Sequence, residues 1–332
     1  MFWHSSVIMV GIKGAMETMR KYNLIAGLFL GVLLLTGCGI METSKKDHTP
    51  RIFGATYMTR NNPYFDVLHG AIQEVVEANG DFLISRNPCQ DQEKQNSQIM
   101  EMIDEGIQVL FLNPVDLDKV RPALEECKKA GVVVIDVDTM AKDMEYVTAA
   151  IETDNYQAGV LCAQDMMKRR DHASIIVINN PIQESINNRI RGFMDTVAGN
   201  PDYQVIAETG GAGEFEVSAD AMAALLRRNL DFDVVMGGND PTALGALATL
   251  QQYHQEEGVL IYGIDGSPDF KSMLKLGYVT ATSMQSPKTI GRVAAETAYQ
   301  YLDGQKVEKY ISIEPQLITR ENLDQYEVND WQ

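Results

Sequence analysis

The order of apolar runs and amphipathic stretches predicts an α/β protein of two similar domains, each a parallel sheet covered by helices on both faces. Three observations carry this reading. From Arg51 onward, short apolar runs alternate with stretches of helical period. The alternation restarts beyond Asp154 and Asn155, so the two halves resemble each other. The chain also has 332 residues, more than one hydrophobic core commonly serves.

The elements can be justified in turn. Arg51–Tyr57, Phe82–Ser85, Val109–Asn113 and Val132–Val137 are short apolar runs and read as strands of the first half. Between them, 63–79 places Phe65, Leu68, Ile72, Val75 and Val76 on one face, with Gln73, Glu74 and Glu77 opposite, as an amphipathic helix requires. The stretches 90–105 and 117–130 read the same way. In the second half the strands are 174–179, 204–209, 234–238 and 260–263, and the helices 186–198, 217–228 and 241–253. A ligand of such a pair would lie beyond the carboxyl ends of the strands, facing the cleft.

Composition excludes several functions. The net charge of −18 and pI near 4.7 leave no basic face for nucleic acid. Four Cys in this length make no disulfide framework, and the five His show no metal-ligand spacing, so neither a metal nor a cofactor is expected. Cys127 and Cys162 fall at apolar helical positions and read as core, whereas Cys89 reads as the accessible thiol. After Cys38 only three Cys remain, enough for one disulfide at most.

The start of the chain reads as an address. Arg20 and Lys21 precede an apolar run from Leu24 to Leu35, which is shorter than the roughly 20 residues of a membrane span. A positive start, a short apolar middle and a small-residue exit describe a secretory signal. The exit, Leu35-Thr36-Gly37-Cys38, is similar to a bacterial lipobox, in which Cys38 is lipidated and becomes the mature N-terminus. Residues 1–18 fit such a signal poorly, and a start at Met16 or Met19 gives a better-shaped one. Residues 38–50 read as a polar tether. The segment before Cys38 carries Lys13, Arg20 and Lys21 against Glu17, so the expected mature chain has 295 residues and a net charge of −20.

Chemistry concentrates at strand ends. Asn62, Asn113, Asp138, Asn239 and Asp265 all follow predicted strands, in both halves, and all are Asn or Asp. Such side chains present paired acceptors, or an acceptor beside donors, at the spacing of vicinal hydroxyls. They are also common in turns, and Asn62 before Pro63 is a good helix cap in its own right. Catalytic patterns fail. Gly210-Gly211-Ala212-Gly213 lacks phosphate-loop spacing, no Gly-x-Ser-x-Gly elbow occurs, and no His stands at a strand end. Asp138 and Asp265 as an acid/base pair stay open on spacing alone.

Several segments then resemble one family. They are Asn61-Asn62-Pro63-Tyr64-Phe65, Leu112-Asn113-Pro114, Asn239 through Ala246, Gly263-Ile264-Asp265-Gly266-Ser267-Pro268-Asp269 and Gln285-Ser286-Pro287. Together they resemble the periplasmic ribose-binding proteins, the solute receptors of ABC sugar importers, from about Arg51 to Glu314.

The resemblance implies the type I periplasmic-binding-protein fold: two Rossmann-like lobes joined by three crossing strands and closing on a sugar. It implies lobes of 51–153 plus 287–313 and of 154–286 plus 314–332, with the hinge near Asp154 and the strand around Ser283–Ser286. It implies that Asn62, Asn113, Asp138, Thr139, Arg189, Asn239, Asp265 and Gln285 meet sugar hydroxyls. Tyr64, Phe65 and Phe215 would cover the ring faces. The ribose receptors carry Arg directly after the aspartate matched by Asp138, and Thr139 departs from that, which leaves the identity of the sugar open.

The expected protein is therefore no enzyme but a lipid-anchored, extracytoplasmic monosaccharide receptor. It would be monomeric and would hand its ligand to an ABC permease and its ATPase. A sensor presenting the same closed lobes to a membrane histidine kinase or chemoreceptor is the alternative. Transcription regulators with this core would need a helix-turn-helix where the lipobox stands.

Overall fold

The computed structural model describes residues 49–332. The expected leader 1–37, the expected lipidation site Cys38 and all but the last two residues of the expected tether 38–50 lie outside the described residues.

The first half runs β1 (Ile52–Thr56), α1 (Pro63–Ala78), β2 (Phe82–Arg86), α2 (Gln92–Asp104), β3 (Val109–Leu112), α3 (Arg121–Ala130), β4 (Val133–Val137) and β5 (Ala149–Thr153). The second runs α4 (Asn155–Arg169), β6 (Ala173–Asn179), α5 (Glu184–Val197), β7 (Tyr203–Gly210), α6 (Phe215–Leu226), β8 (Val234–Gly237), α7 (Asp240–Gln252), β9 (Leu260–Asp265), α8 (Pro268–Leu276) and β10 (Ala281–Met284). Then follow α9 (Pro287–Leu302), β11 (Tyr310–Ile313) and β12 (Gln316–Thr319).

Two six-stranded sheets result, ordered β2-β1-β3-β4-β5-β11 and β7-β6-β8-β9-β10-β12. All pairings are parallel except β10 with β12. The central strands β3 and β8 are buried throughout, as strands covered on both faces must be, and this is why they read as unbroken apolar runs. In both sheets the order reverses beside the first strand. Successive connections leave in opposite directions there and open a crevice at the carboxyl ends.

Caps set several helix starts. Asn62, Asp91, Asp154, Asn239 and Ser267 each accept from a backbone N–H of the first turn, satisfying donors with no partner in the helix. Two expected helices begin later than their periodicity suggests. Cys89 and Gln90 have φ of 57° and 62°, which no helix accommodates, so α2 waits for the Asp91 cap. Before α3, the Asp116 carboxylate accepts from the N–H groups of Asp118 and Lys119 and holds a turn where helix was expected.

Three connections pass side by side between the sheets. Asp154 joins β5 to α4, Gln285–Ser286 join β10 to α9, and Glu314–Pro315 join β11 to β12. Asp154 N–H donates to Ile313 O at 3.0 Å, and Thr153 Oγ1 donates to Gln285 Oε1 at 3.0 Å. The crossing expected around Ser283–Ser286 is shorter than that. Ser283 and Met284 still belong to β10, paired with Ile264 and Asp265.

After β12 the chain packs on the second sheet through Leu323, Tyr326 and Val328. Trp331 then sits in the core cluster of the first lobe. The expected division, with all of 314–332 in the second lobe, is corrected there. An apolar side chain of this size is buried wherever a core has room, and the room lies beside Tyr64.

Candidate functional site

The crevice between the lobes encloses a cavity of about 530 Å³. The ends of strands supply its wall. From the first lobe come Asn62, Tyr64, Phe65 and Asp138, from the second Arg189, Phe215, Asn239 and Asp265, and from the crossing Gln285.

The two aspartates stand in equivalent places, Asp138 just past β4 and Asp265 at the end of β9, and are 4% and 3% exposed. Both have positive φ, 67° and 151°, a region L residues seldom adopt. Strain of this kind costs on the order of 1–3 kcal/mol and persists where the surroundings impose it, most often at binding sites. Here it turns a carboxylate from each lobe into the same cavity.

Arg189 is the one cation in the wall. It is buried in α5, with Nε donating to Asn155 Oδ1 at 2.8 Å and Nη1 donating to Gly238 O at 3.2 Å. Asp265 Oδ1 lies 3.5 Å from that Nη1 and accepts from Gln285 Nε2 at 2.7 Å. Thr153, Gln285, Asp265 and Arg189 thus form a chain from the hinge into the second lobe. Burial pushes the Asp265 carboxyl up to about 7 against the pull of Arg189. Asp138 is likewise raised by burial, less the effects of Arg189 and its hydrogen bonds.

Arg189 reaches the cavity because α4 and α5 touch backbone to backbone. A Cβ on Gly159 would lie 1.8 Å from Arg189 O, and one on Gly192 would lie 2.0 Å from Tyr156 O. Only glycine permits that approach.

The aromatic wall is layered. Phe65 stacks on Tyr57 at 5.7 Å between centroids and meets the edge of Tyr64 at 5.4 Å. Trp331 closes on the far side of Tyr64 at 5.7 Å, edge-on. Tyr64 Oη is buried beside the Asp138 carboxyl, and burial, reinforced by that carboxyl, raises its pKa well above the usual tyrosine value. Phe215 begins α6 at the mouth of the cavity and is 41% exposed.

Asn62 and Asn239 do two jobs. Each caps a helix, accepting from Tyr64 N–H and Thr242 N–H at 3.0 Å, and each lines the cavity. Asn113 and Thr139, expected as ligand contacts, are not among the residues that line the cavity and sit against Asp138. Asn113 is fully buried, accepts from Met58 N–H and donates to Val137 O and Asp138 Oδ2. Thr139 Oγ1 lies 3.2 Å from the same Oδ2 and 3.5 Å from Ser185 Oγ across the cleft. Both brace Asp138. Arg60 pairs with Asp66 outside the wall and does not replace a guanidinium beside Asp138.

Sequence reasoning missed Asn155, which orients Arg189, and Asn180, Gln183, Gln90 and Glu214 at the rim. Asn180 follows β6 and carried the same strand-end signal as the others. The rim residues join the lobes: Gln90 Nε2 donates to Glu214 Oε1 at 2.7 Å, and Gln183 Nε2 lies 3.8 Å from Met58 Sδ. Cys89 is exposed, Cys127 and Cys162 are buried, and all three are free thiols. No cluster of metal-ligating residues occurs among the described residues.

Residues 53–306 match the family model described as periplasmic binding protein domain. The ribose import binding protein of Bacillus subtilis is 27% identical over 302 residues, covering 88% of this chain and 97% of that protein. A xylitol-binding protein of Mycolicibacterium smegmatis is 26% identical over 93% of this chain and 88% of its own length. Among solved structures, an ABC transporter solute-binding protein from Bacillus halodurans with bound myo-inositol superposes with a TM-score of 0.80. It is 22% identical, over 86% of this chain and all of that one.

Proposed function

The chain belongs to the periplasmic binding protein domain family and has its two-lobed type I fold, and from that premise we propose that it is an extracytoplasmic receptor for a monosaccharide or related polyol. The observation that carries the ligand class is the wall itself. Buried Asp138, Asp265, Arg189, Asn239 and Gln285 converge with Asn62 on a cavity whose flank is Tyr64 and Phe65. A pyranose has hydroxyls at its rim and C–H groups on its faces. Charged partners make the stronger hydrogen bonds to such a rim, and aromatic rings cover the faces.

Binding is a shift of population between open and closed lobes. The Gln90–Glu214 and Thr139–Ser185 contacts form only when the lobes meet, and a ligand touching both walls favours that state. The lobes are 51–153 with 287–313 and 154–286 with 314–328, the remaining residues returning to the first. Cys38, once lipidated, holds the receptor at the membrane, and the closed form presents the ligand to an ABC permease. The bound state involves no chemical step.

A thermal-shift panel of pentoses, hexoses, inositols, polyols and nucleosides tests this. A ligand at 100 times its Kd adds about 2.7 kcal/mol to stability. A panel without any shift overturns the reading. Asp265→Ala, folded by circular dichroism, abolishes the shift, whereas unchanged binding removes Asp265 from the site.

A further inference from the structure

The charges lining the cavity do not balance. Asp138 and Asp265 are buried in its wall, Glu214 and Glu216 stand at its mouth, and Arg189 is the only cation among the lining residues. Behind the wall, fully buried Asp240 and mostly buried Glu152 add carboxyl groups. Lys271, the nearest buried ammonium to Asp240, is occupied by Glu327 O and Asp330 O at 2.6 and 2.5 Å.

Arg189 serves the two aspartates unequally. Its Nη1 pairs with Asp265 at 3.5 Å and donates to Gly238 O, and its Nε donates to Asn155, whereas it acts on Asp138 through its field without an ion pair. Among the described residues no cation pairs with Asp138, whose neighbours Asn113 and Thr139 are neutral. A buried carboxylate without a counter-ion is costly in the absence of a cationic ligand. A second observation points to the same place. Tyr64 Oη, on a side chain 2% exposed and lining the cavity, stands beside the Asp138 carboxyl with its acceptor lone pairs unused, and Arg189 and Asp265 are also near.

We propose that the ligand carries an ammonium group, as an amino sugar or amino polyol does, and that Asp138 is its counter-ion with Tyr64 Oη accepting a further N–H. This rests on the monosaccharide reading and narrows it. An ammonium has three donors and no acceptor, so it suits a carboxylate and a phenol oxygen already facing the cavity. The hydroxyls of the same ring remain for Asn62, Asn239, Gln285 and the Arg189–Asp265 pair. Burial raises the Asp138 carboxyl even against the pull of Arg189, and an ammonium in contact with it acts in the opposite direction.

Isothermal titration calorimetry at pH 7 compares D-glucosamine, D-galactosamine and D-mannosamine with their parent hexoses and N-acetyl forms. The expected result is that at least one amine binds tenfold or more tightly than both of its neutral counterparts. Asp138→Asn, close in shape and checked for folding by circular dichroism, erases that preference, because the amine loses at least tenfold more affinity than its parent sugar does. If neutral sugars bind and no amine exceeds its parent, the ammonium inference falls while the sugar receptor stands. If neither amines nor any neutral polyol of the thermal-shift panel binds, both fall. An amine preference that survives Asp138→Asn also overturns the assignment.

Discussion

The contact of Trp331 with Tyr64 places the far end of the described chain directly behind the cavity wall, and Trp331→Ala tests whether it supports binding. Trp331 is 8% exposed and meets the Tyr64 ring edge-on at 5.7 Å. Its segment is held from both lobes. Lys271 of α8 donates to Glu327 O and Asp330 O, and Lys288 of α9 lies 2.5 Å from the Asp330 carboxylate. A buried Trp side chain removes about 200 Å² from water, worth about 5 kcal/mol at 25 cal/mol per Å² as an upper bound. Because the released segment can lift into solvent and the gap can partly close, the expected loss is about 3 kcal/mol, at the low end for buried aromatics. The edge contact accounts for about 1 kcal/mol of this, and the same amount is the expected loss in ligand affinity, about fivefold.

The assay is urea unfolding followed by circular dichroism, with titration calorimetry of a ligand found in the panel. Trp331→Phe, which keeps an aromatic edge, restores most of the affinity. Trp331 is the only Trp of the described residues, so ligand-induced closure also changes its fluorescence in the expected mature chain. A stability loss below about 1 kcal/mol, with affinity and fluorescence both indifferent, would refute the reasoning, since a buried aromatic contact cannot be removed at so little cost.

Other outcomes follow from the same geometry. Gly159→Ala forces α4 from α5 and displaces Arg189, so it lowers stability by about 2–3 kcal/mol as overpacking does and weakens ligand binding. Gly70→Ala, where a Cβ meets open space, leaves binding intact and is neutral or stabilising by up to about 1 kcal/mol in the same unfolding assay. Stability falls as pH rises from about 4 to about 7. Asp136, Glu152 and Asp265 are each raised by burial to about 7, so over this range the folded state keeps protons that the unfolded chain has released. Calorimetric Tm values at pH 5 and pH 7.5 should therefore differ, with the higher value at pH 5. Of Cys89, Cys127 and Cys162, only Cys89 reacts quickly with a thiol reagent in the folded protein, and the other two react after unfolding.

The legible part of the site was legible for a local reason. Asn62 before Pro63 and Asn239 before Asp240-Pro241 carry the cap signal in four residues, and both of these caps line the crevice. The same signal marked Asn113. Asn113 follows β3 between the ends of β1 and β4, and its amide holds Met58, Val137 and Asp138. Thr139 likewise meets the Asp138 carboxylate, one residue beyond it. The positive φ at Asp138 turns that carboxylate inward while Thr139 faces Ser185.

By itself the sequence determined the alternation of elements, the two repeated halves and the acidic or amide residues at strand ends. Burial period, caps and turns act over a few residues and are written in consecutive positions. The tertiary structure alone decided which of those side chains form the wall, that Arg189 pairs with Asp265 rather than Asp138, and that Trp331 returns to back Tyr64. Those outcomes depend on the touching of α4 and α5, on three crossings held side by side, and on room in a core beside Tyr64, 267 positions away from Trp331. Depth and partner choice come from packing between distant segments, and no local pattern carries that information.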